Sequence, residues 1–217
     1  MCSGCCEALK GILLEQYARY PQMQLVDVVK RMYQSEFAGG HMITDEAAAL
    51  RRLEQEWSLL GQVSSYTSVF EELSGGICRL NLAPIINSGI APATVNRLFV
   101  LSANSHQGCV ESFERKLAAF RQWCVEGLFA FDIEELDDYL RDYKAKGYPP
   151  VSHSEEYRFA YAPAYRVIST KFQPYFELLC RIDRLRAKEQ TMSIAIDGNS
   201  CSGKTSLAYL LEQIYDC

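Results

Sequence analysis

The sequence predicts a mainly α fold in two unequal parts: a multi-helix N-terminal domain over residues 1–188, then the first strand–loop–helix unit of a truncated α/β domain over residues 189–217. Three observations predict it. Apolar residues recur at steps of three and four through much of the first 188 positions. Gly and Pro clusters cut that pattern into helix-length pieces. Near the end, a glycine-containing loop stands between a short apolar run and a further apolar-periodic segment.

The first helix is expected over residues 6–20, closed by Pro21, and the second over residues 25–33, with Leu25, Val28, Val29 and Met32 on one stripe. Gly39-Gly40 reads as its stop and a tight turn. Thr44 can cap the third, with Asp45 and Glu46 in the first turn, where the helix dipole favours acids. Leu50, Leu53, Trp57 and Leu60 form its apolar face, and Gly61 ends it. Residues 69–73 read as a short helix broken by Gly75-Gly76. The alternation from Ile77 to Leu82 fits either a strand or the approach to a helix starting near Asn81.

Pro92 suits the first turn of a helix reaching about residue 103. Val110, Phe113, Leu117, Phe120 and Cys124 mark the next. Asp132 with Glu135 opens another in capping-box fashion, its stripe being Ile133, Leu136, Leu140 and Tyr143 before Gly147 and Pro149-Pro150 stop it. A long last helix is expected over residues 164–187, kinked or broken at Pro174. The charged residues 184–190 then form its end and a linker.

With 48% hydrophobic and 23% charged residues, the 217-residue chain has an ordinary globular composition. A net charge of −5 argues against a basic nucleic-acid surface, so no nucleic-acid partner is expected. No apolar run approaches the roughly 18 residues of a membrane span, and the N-terminus lacks the parts of a secretory signal. The expectation is a cytoplasmic protein without a membrane partner. Most of the nine cysteines are scattered; Cys78, Cys109, Cys124 and Cys180 fall at or beside apolar positions, where a thiol acts as a small hydrophobe. Cys2, Cys5 and Cys6 cluster, but without a second pair at zinc-site spacing.

Residues 198–205 read G-N-S-C-S-G-K-T, satisfying G-x-x-x-x-G-K-[ST] at each fixed position. Ile194, Ala195 and Ile196 precede the motif as an expected buried strand, and Leu207 to Leu211 follow as an expected helix. Backbone N–H groups of Gly198, Asn199, Ser200, Cys201, Ser202, Gly203, Lys204, Thr205 and Ser206 would cradle a phosphate anion at the helix N-terminus. Lys204 would reach the β- and γ-phosphates of ATP, and the Thr205 hydroxyl would ligate Mg²⁺. Asp197, at the strand end, would orient a substrate hydroxyl or a metal-bound water. A lone strand over residues 192–196 leaves ladder groups unpaired on both sides. It is expected to pair with a second copy in a homodimer, dock on the helical domain, or refold as helix.

Residues 194–208 resemble the opening of the uridine kinases and related nucleoside and nucleotide kinases, P-loop phosphotransferases that use ATP and Mg²⁺. The likeness implies a nucleotide or phosphate anion at the loop. It departs from the family at Cys201, where small residues are usual, and it covers a small part of the chain. In such kinases a second acidic strand end, lid arginines and nucleoside-binding helices come later, so no kinase turnover is expected from these 217 residues. The segments from Tyr33 to Ile43 and from His153 to Arg158 are similar to uncharacterised bacterial proteins with a helical domain ahead of a kinase-like one.

In the helical part, His41, His106 and His153 all stand in polar, loop-like settings. With Glu36, Glu155 or Glu156, and with Arg79, Arg158 or Arg166, they offer two chemistries. One is a His/Glu-based, metal-assisted hydrolase in which His41, His153 and Glu36 act catalytically. The other is a phosphate- or carboxylate-binding pocket built on the arginines. The bland alternative is that each histidine packs locally. A small-molecule-binding or interaction module carrying a vestigial P-loop is the third reading of the whole chain.

Overall fold

Capping chemistry fixes most helix starts. Asp132 Oδ1 accepts from the backbone N–H groups of Glu134 (2.9 Å) and Glu135 (3.0 Å), and Pro92 stands in a first turn where no donor is lost. The computed structural model describes residues 3–43, 45–60, 67–189 and 191–217. Among these it contains nine helices: α1 (Ser3–Arg19), α2 (Leu25–Phe37), α3 (Glu46–Leu59), α4 (Pro92–Ser105), α5 (Val110–Val125), α6 (Ile133–Ala145), α7 (Glu155–Tyr161), α8 (Phe176–Arg186) and α9 (Lys204–Tyr215). The expected caps at Thr44 and Gly61 lie outside the described residues. Asp45 caps α3 instead, accepting from Ala48 N–H at 2.7 Å.

A small antiparallel sheet completes the fold, in the order β1 (Phe70–Ser74), β2 (Ile77–Asn81), β3 (Tyr165–Ser169). This corrects two expectations, at β1 and β3, and decides between the two readings of the segment from Ile77. The short helix at 69–73 is β1, the ambiguous alternation is the central strand β2, and the start of the long last helix is β3. Ala162, in the left-handed region at φ 43°, ends α7, and Pro163 disfavours helical angles in the residue before it. Tyr165-Arg166-Val167-Ile168 then pairs with β2, Val167 opposite Arg79. Pro174 lies in a 3-10 segment (Thr170–Tyr175) immediately ahead of α8, so it separates elements rather than kinking one.

Two cores flank β2. One unites Leu9, Leu13, Val28, Met32, Phe113, Phe120, Leu136 and Tyr157 from α1, α2, α5, α6 and α7. The other unites Leu53, Leu98, Ile168, Leu179, Leu211 and Ile214 with Cys78 and Leu80 of the strand. Every residue of β2 is buried. Successive side chains of a strand point to opposite faces, so Cys78 and Leu80 join the second core while Arg79 turns towards α2.

The expected strand at 194–196 does not form: residues 191–198 belong to no helix or strand. With no neighbouring strand there is no ladder to join. Met192, Ile196, Leu207 and Leu210 instead pack against the second core, in which Leu211 and Ile214 are buried. Arg97 of α4 fastens the helix end, donating from Nε to Gln213 O (2.7 Å) and from Nη2 to Asp216 Oδ1 (3.1 Å). Of the three expected fates of this segment, docking on the helical part is the one seen. Among the described residues no helix is long and apolar enough to cross a membrane.

Candidate functional sites

At the head of α9, the G-x-x-x-x-G-K-T residues form a loop that runs into the helix. Gly203, the residue before its first turn, has φ 84°, a conformation glycine adopts without the Cβ penalty. Cys201 is also left-handed, at φ 61°, where a side-chain-bearing residue is disfavoured. The Lys204 ammonium folds back and donates to Gly198 O (2.5 Å) and Asn199 O (2.7 Å). The loop thereby wraps around a cation. Asp197 turns its carboxylate onto the loop itself, accepting from Gly198 N–H at 2.7 Å. Asn199, Ser200, Cys201, Ser202, Thr205 and Ser206 are exposed, so the mouth of the loop faces solvent.

A second constellation lies where α2, α7 and β3 meet. α2 buries a polar stripe, Asp27, Arg31 and Gln34, at steps of four and three. Asp27 Oδ1 meets His153 Nδ1 at 2.6 Å, and Asp27 also accepts from the Ser154 hydroxyl (2.6 Å) and the Gln24 N–H (3.0 Å). Burial raises the Asp27 carboxyl, but the His153, Ser154 and Gln24 hydrogen bonds outweigh it, so the group sits below its ordinary range. Burial lowers His153, well below the usual imidazole range, and the Arg79 and Lys30 charges add to that against the pull of Asp27. The pair is therefore carboxylate and neutral imidazole. Nδ1–H donates to Asp27, leaving Nε2 as the acceptor for the Tyr165 hydroxyl at 2.7 Å.

The chain of contacts runs on. Gln34 Nε2 donates to the Tyr165 hydroxyl (3.2 Å), and its Oε1 accepts from Arg79 Nε (2.9 Å) and Nη2 (2.7 Å). Arg79 also lies over the Tyr165 ring, 4.2 Å from its centroid. This network backs a cavity of about 540 Å³. Its charged lining is three cations, Lys30, Arg158 and Arg166, and one carboxylate, Glu56. Glu56 pairs with Arg166 at 2.7 Å. Lys30 donates to a neutral acceptor, Val151 O, at 2.6 Å. Burial, followed by the Arg79 and Arg158 charges, brings the Lys30 ammonium down to about 8.

The other expected catalytic residues have partners of their own. Glu36 accepts from Cys109 N–H (3.0 Å) and the Ser112 hydroxyl (2.9 Å) at the start of α5 and pairs with Lys116 at 2.8 Å. Burial alone would raise its carboxyl, but those donors hold it below the ordinary range. Its position is that of a tertiary cap on α5. His106 Nε2 approaches Glu36 O at 2.7 Å. His41, in the 3-10 turn Gly40–Met42, sets its ring edge-on to Tyr33 at 5.5 Å, and burial with the nearby Lys30 charge lowers it. No hydrogen bond or ion pair joins His41, Glu36 and His153 among the described residues. Nor is any group of three or more His, Cys, Asp and Glu there placed to hold a metal.

The chain matches no family model, no curated protein and no solved structure. Site assignment therefore rests on chemistry alone. The sequence nominated His153, Arg79, Arg158 and Arg166, and the structure gathers them around one cavity and its backing network. It missed Asp27, Lys30, Gln34 and Tyr165. The recoverable signal was the Asp27, Arg31, Gln34 spacing, a polar stripe on a helix whose apolar residues already occupy the other faces.

Proposed function

We propose that residues 198–206 bind the phosphates of a nucleoside triphosphate with Mg²⁺, as the nucleotide-binding segment of a kinase-like phosphotransferase. The observation that supports this most is the curl of the loop around Lys204, directly ahead of the α9 N-terminus. An anion entering there would meet the N–H groups of the first turn of α9, the positive end of the helix dipole and one ammonium, with the Gly198 and Ser202 N–H groups freed only if the loop rearranges. Lys204 would exchange its two carbonyl acceptors for phosphate oxygens, and Thr205, already exposed on the first turn, would offer its hydroxyl to the metal. Asp197 would need to leave the Gly198 N–H to act on a water or a hydroxyl.

Phosphoryl transfer also requires an acceptor held in line and a shielded reaction centre. The loop opens to solvent, so the reading for this chain is nucleotide binding without turnover. Calorimetric titration with Mg-ATP tests it. Saturable binding is expected, weakened at least about tenfold in Lys204→Ala, corresponding to about 1.4 kcal/mol. Binding that survives the substitution unchanged, or no binding by the unaltered chain, would count against the loop.

A further inference from the structure

The cavity between α2, α7 and β3 shares no lining residue with the phosphate loop, and its charge is not balanced by the protein. Arg158 is exposed at the cavity, and its side chain makes no ion pair or hydrogen bond among the described residues. Lys30, half-buried, faces a carbonyl rather than a carboxylate. Arg166 has Glu56, whose own side chain is 44% exposed, and so is screened by water. Behind the lining, Asp27 and Arg79 offset one another, and His153 in the lining is neutral. The cavity thus carries two positive charges in excess, held at fixed positions by α2 and α7. Like charges this close repel, so a dianion arriving between them is favoured twice, by attraction and by relief of repulsion.

We propose that this cavity binds a small-molecule phosphomonoester, its phosphate held by Lys30, Arg158 and Arg166 and its organic body lying against Phe99, Pro163 and Val167. A monoester carries about −1.5 to −2 charges at neutral pH, matching the excess, whereas a simple carboxylate carries half as much. Arginine guanidinium groups present paired donors suited to phosphate oxygens. The volume of about 540 Å³ exceeds the needs of a bare phosphate and falls in the range of small-molecule sites. A hydrogen-bond network that includes the lining residues Gln34, His153 and Tyr165, backed by Asp27 and Arg79, serves as its support. Asp27, His153, Tyr165, Gln34 and Arg79 hold one another in place by hydrogen bonds at 2.6 to 3.2 Å, fixing the polar wall before a ligand arrives.

The test uses the Lys204→Ala chain, in which the phosphate loop is disabled, and titrates it calorimetrically with phenyl phosphate, inorganic phosphate and phenylacetate. Phenyl phosphate should bind saturably at one site, more tightly than inorganic phosphate and at least about tenfold more tightly than phenylacetate. Adding Arg158→Gln should weaken phenyl phosphate about tenfold without shifting the melting temperature, since the exposed Arg158 side chain makes no hydrogen bond or ion pair among the described residues and the backbone bonds of α7 are kept. Adding Lys30→Met should weaken it by a similar factor from a position on a different helix, here with some loss of stability because the bond to Val151 O goes too. The proposal is overturned if phenyl phosphate does not bind, if phenylacetate binds equally well, or if both substitutions leave its affinity within about twofold.

Discussion

At the residue scale, the buried pair of His153 and Asp27 is the most consequential contact in the helical part. The imidazole is stacked on Tyr157, with centroids 4.4 Å apart and planes 8° from parallel, and is used at both nitrogens. Its folded pKa lies below the unfolded value of about 6.5, so below that pH the unfolded chain takes up a proton that the folded chain resists. Stability should therefore fall as the pH drops from 7 to 5. The share of this histidine cannot exceed about 1.4 kcal/mol per pH unit. His153→Gln should flatten that slope and cost about 2 kcal/mol at pH 7, because a buried carboxylate loses a charge-assisted partner. Urea unfolding of both chains across this pH range measures the two effects together. An unchanged slope in the variant would remove His153 from the account.

At the element scale, the long helices were legible, whereas the seven-residue α7 and the strands β1 and β3 were not and β2 was only one of two readings, for a physical reason. The apolar stripes of α5 and α6 repeat over several turns within one element, and the Asp132 cap is written beside its helix. β1 and β3 are five residues each, and β3 finds its partner across the chain, as Val167 opposite Arg79. No local pattern carries that pairing. The β1–β2 hairpin also depends on a close approach: a Cβ on Gly75, at φ 69°, would lie 2.8 Å from Ser35 O of α2. Gly75→Ala should thus destabilise the fold by about 2 kcal/mol, through the left-handed angle and the clash together. Chemical denaturation of the variant checks it, and a neutral result would show that the hairpin and α2 can separate freely. For the candidate cavity, His153 stands out in the sequence as a histidine in a polar, loop-like setting, and Arg79, Arg158 and Arg166 as cations that could join it. Asp27, Lys30 and Gln34 do not, because α2 also carries the apolar stripe of Val28, Val29 and Met32.

At the scale of the whole molecule, the sheet separates two cores, and α9 belongs to the second. Leu211 and Ile214 are 4% and 5% exposed in a cluster shared with α3, α4 and α8. Leu211→Ala should therefore lower the stability of the helical part as well as release α9, by about 2–4 kcal/mol. A thermal melt followed by circular dichroism would show one transition displaced downward, whereas loss of α9 signal alone would mean that the helix is an appendage. This docking also places the loop of residues 198–203. The loop is anchored by its helix on one side and by Met192 and Ile196 on the other, while its mouth stays open to solvent. The central claim is that this mouth receives nucleotide phosphates. Backbone amide chemical shifts of residues 198–206, recorded by NMR with and without Mg-ATP, test it most directly. Large shifts at Gly203, Lys204 and Thr205, absent in Lys204→Ala, are the predicted result. Shifts confined to residues outside the loop, or none at saturating nucleotide, would contradict it.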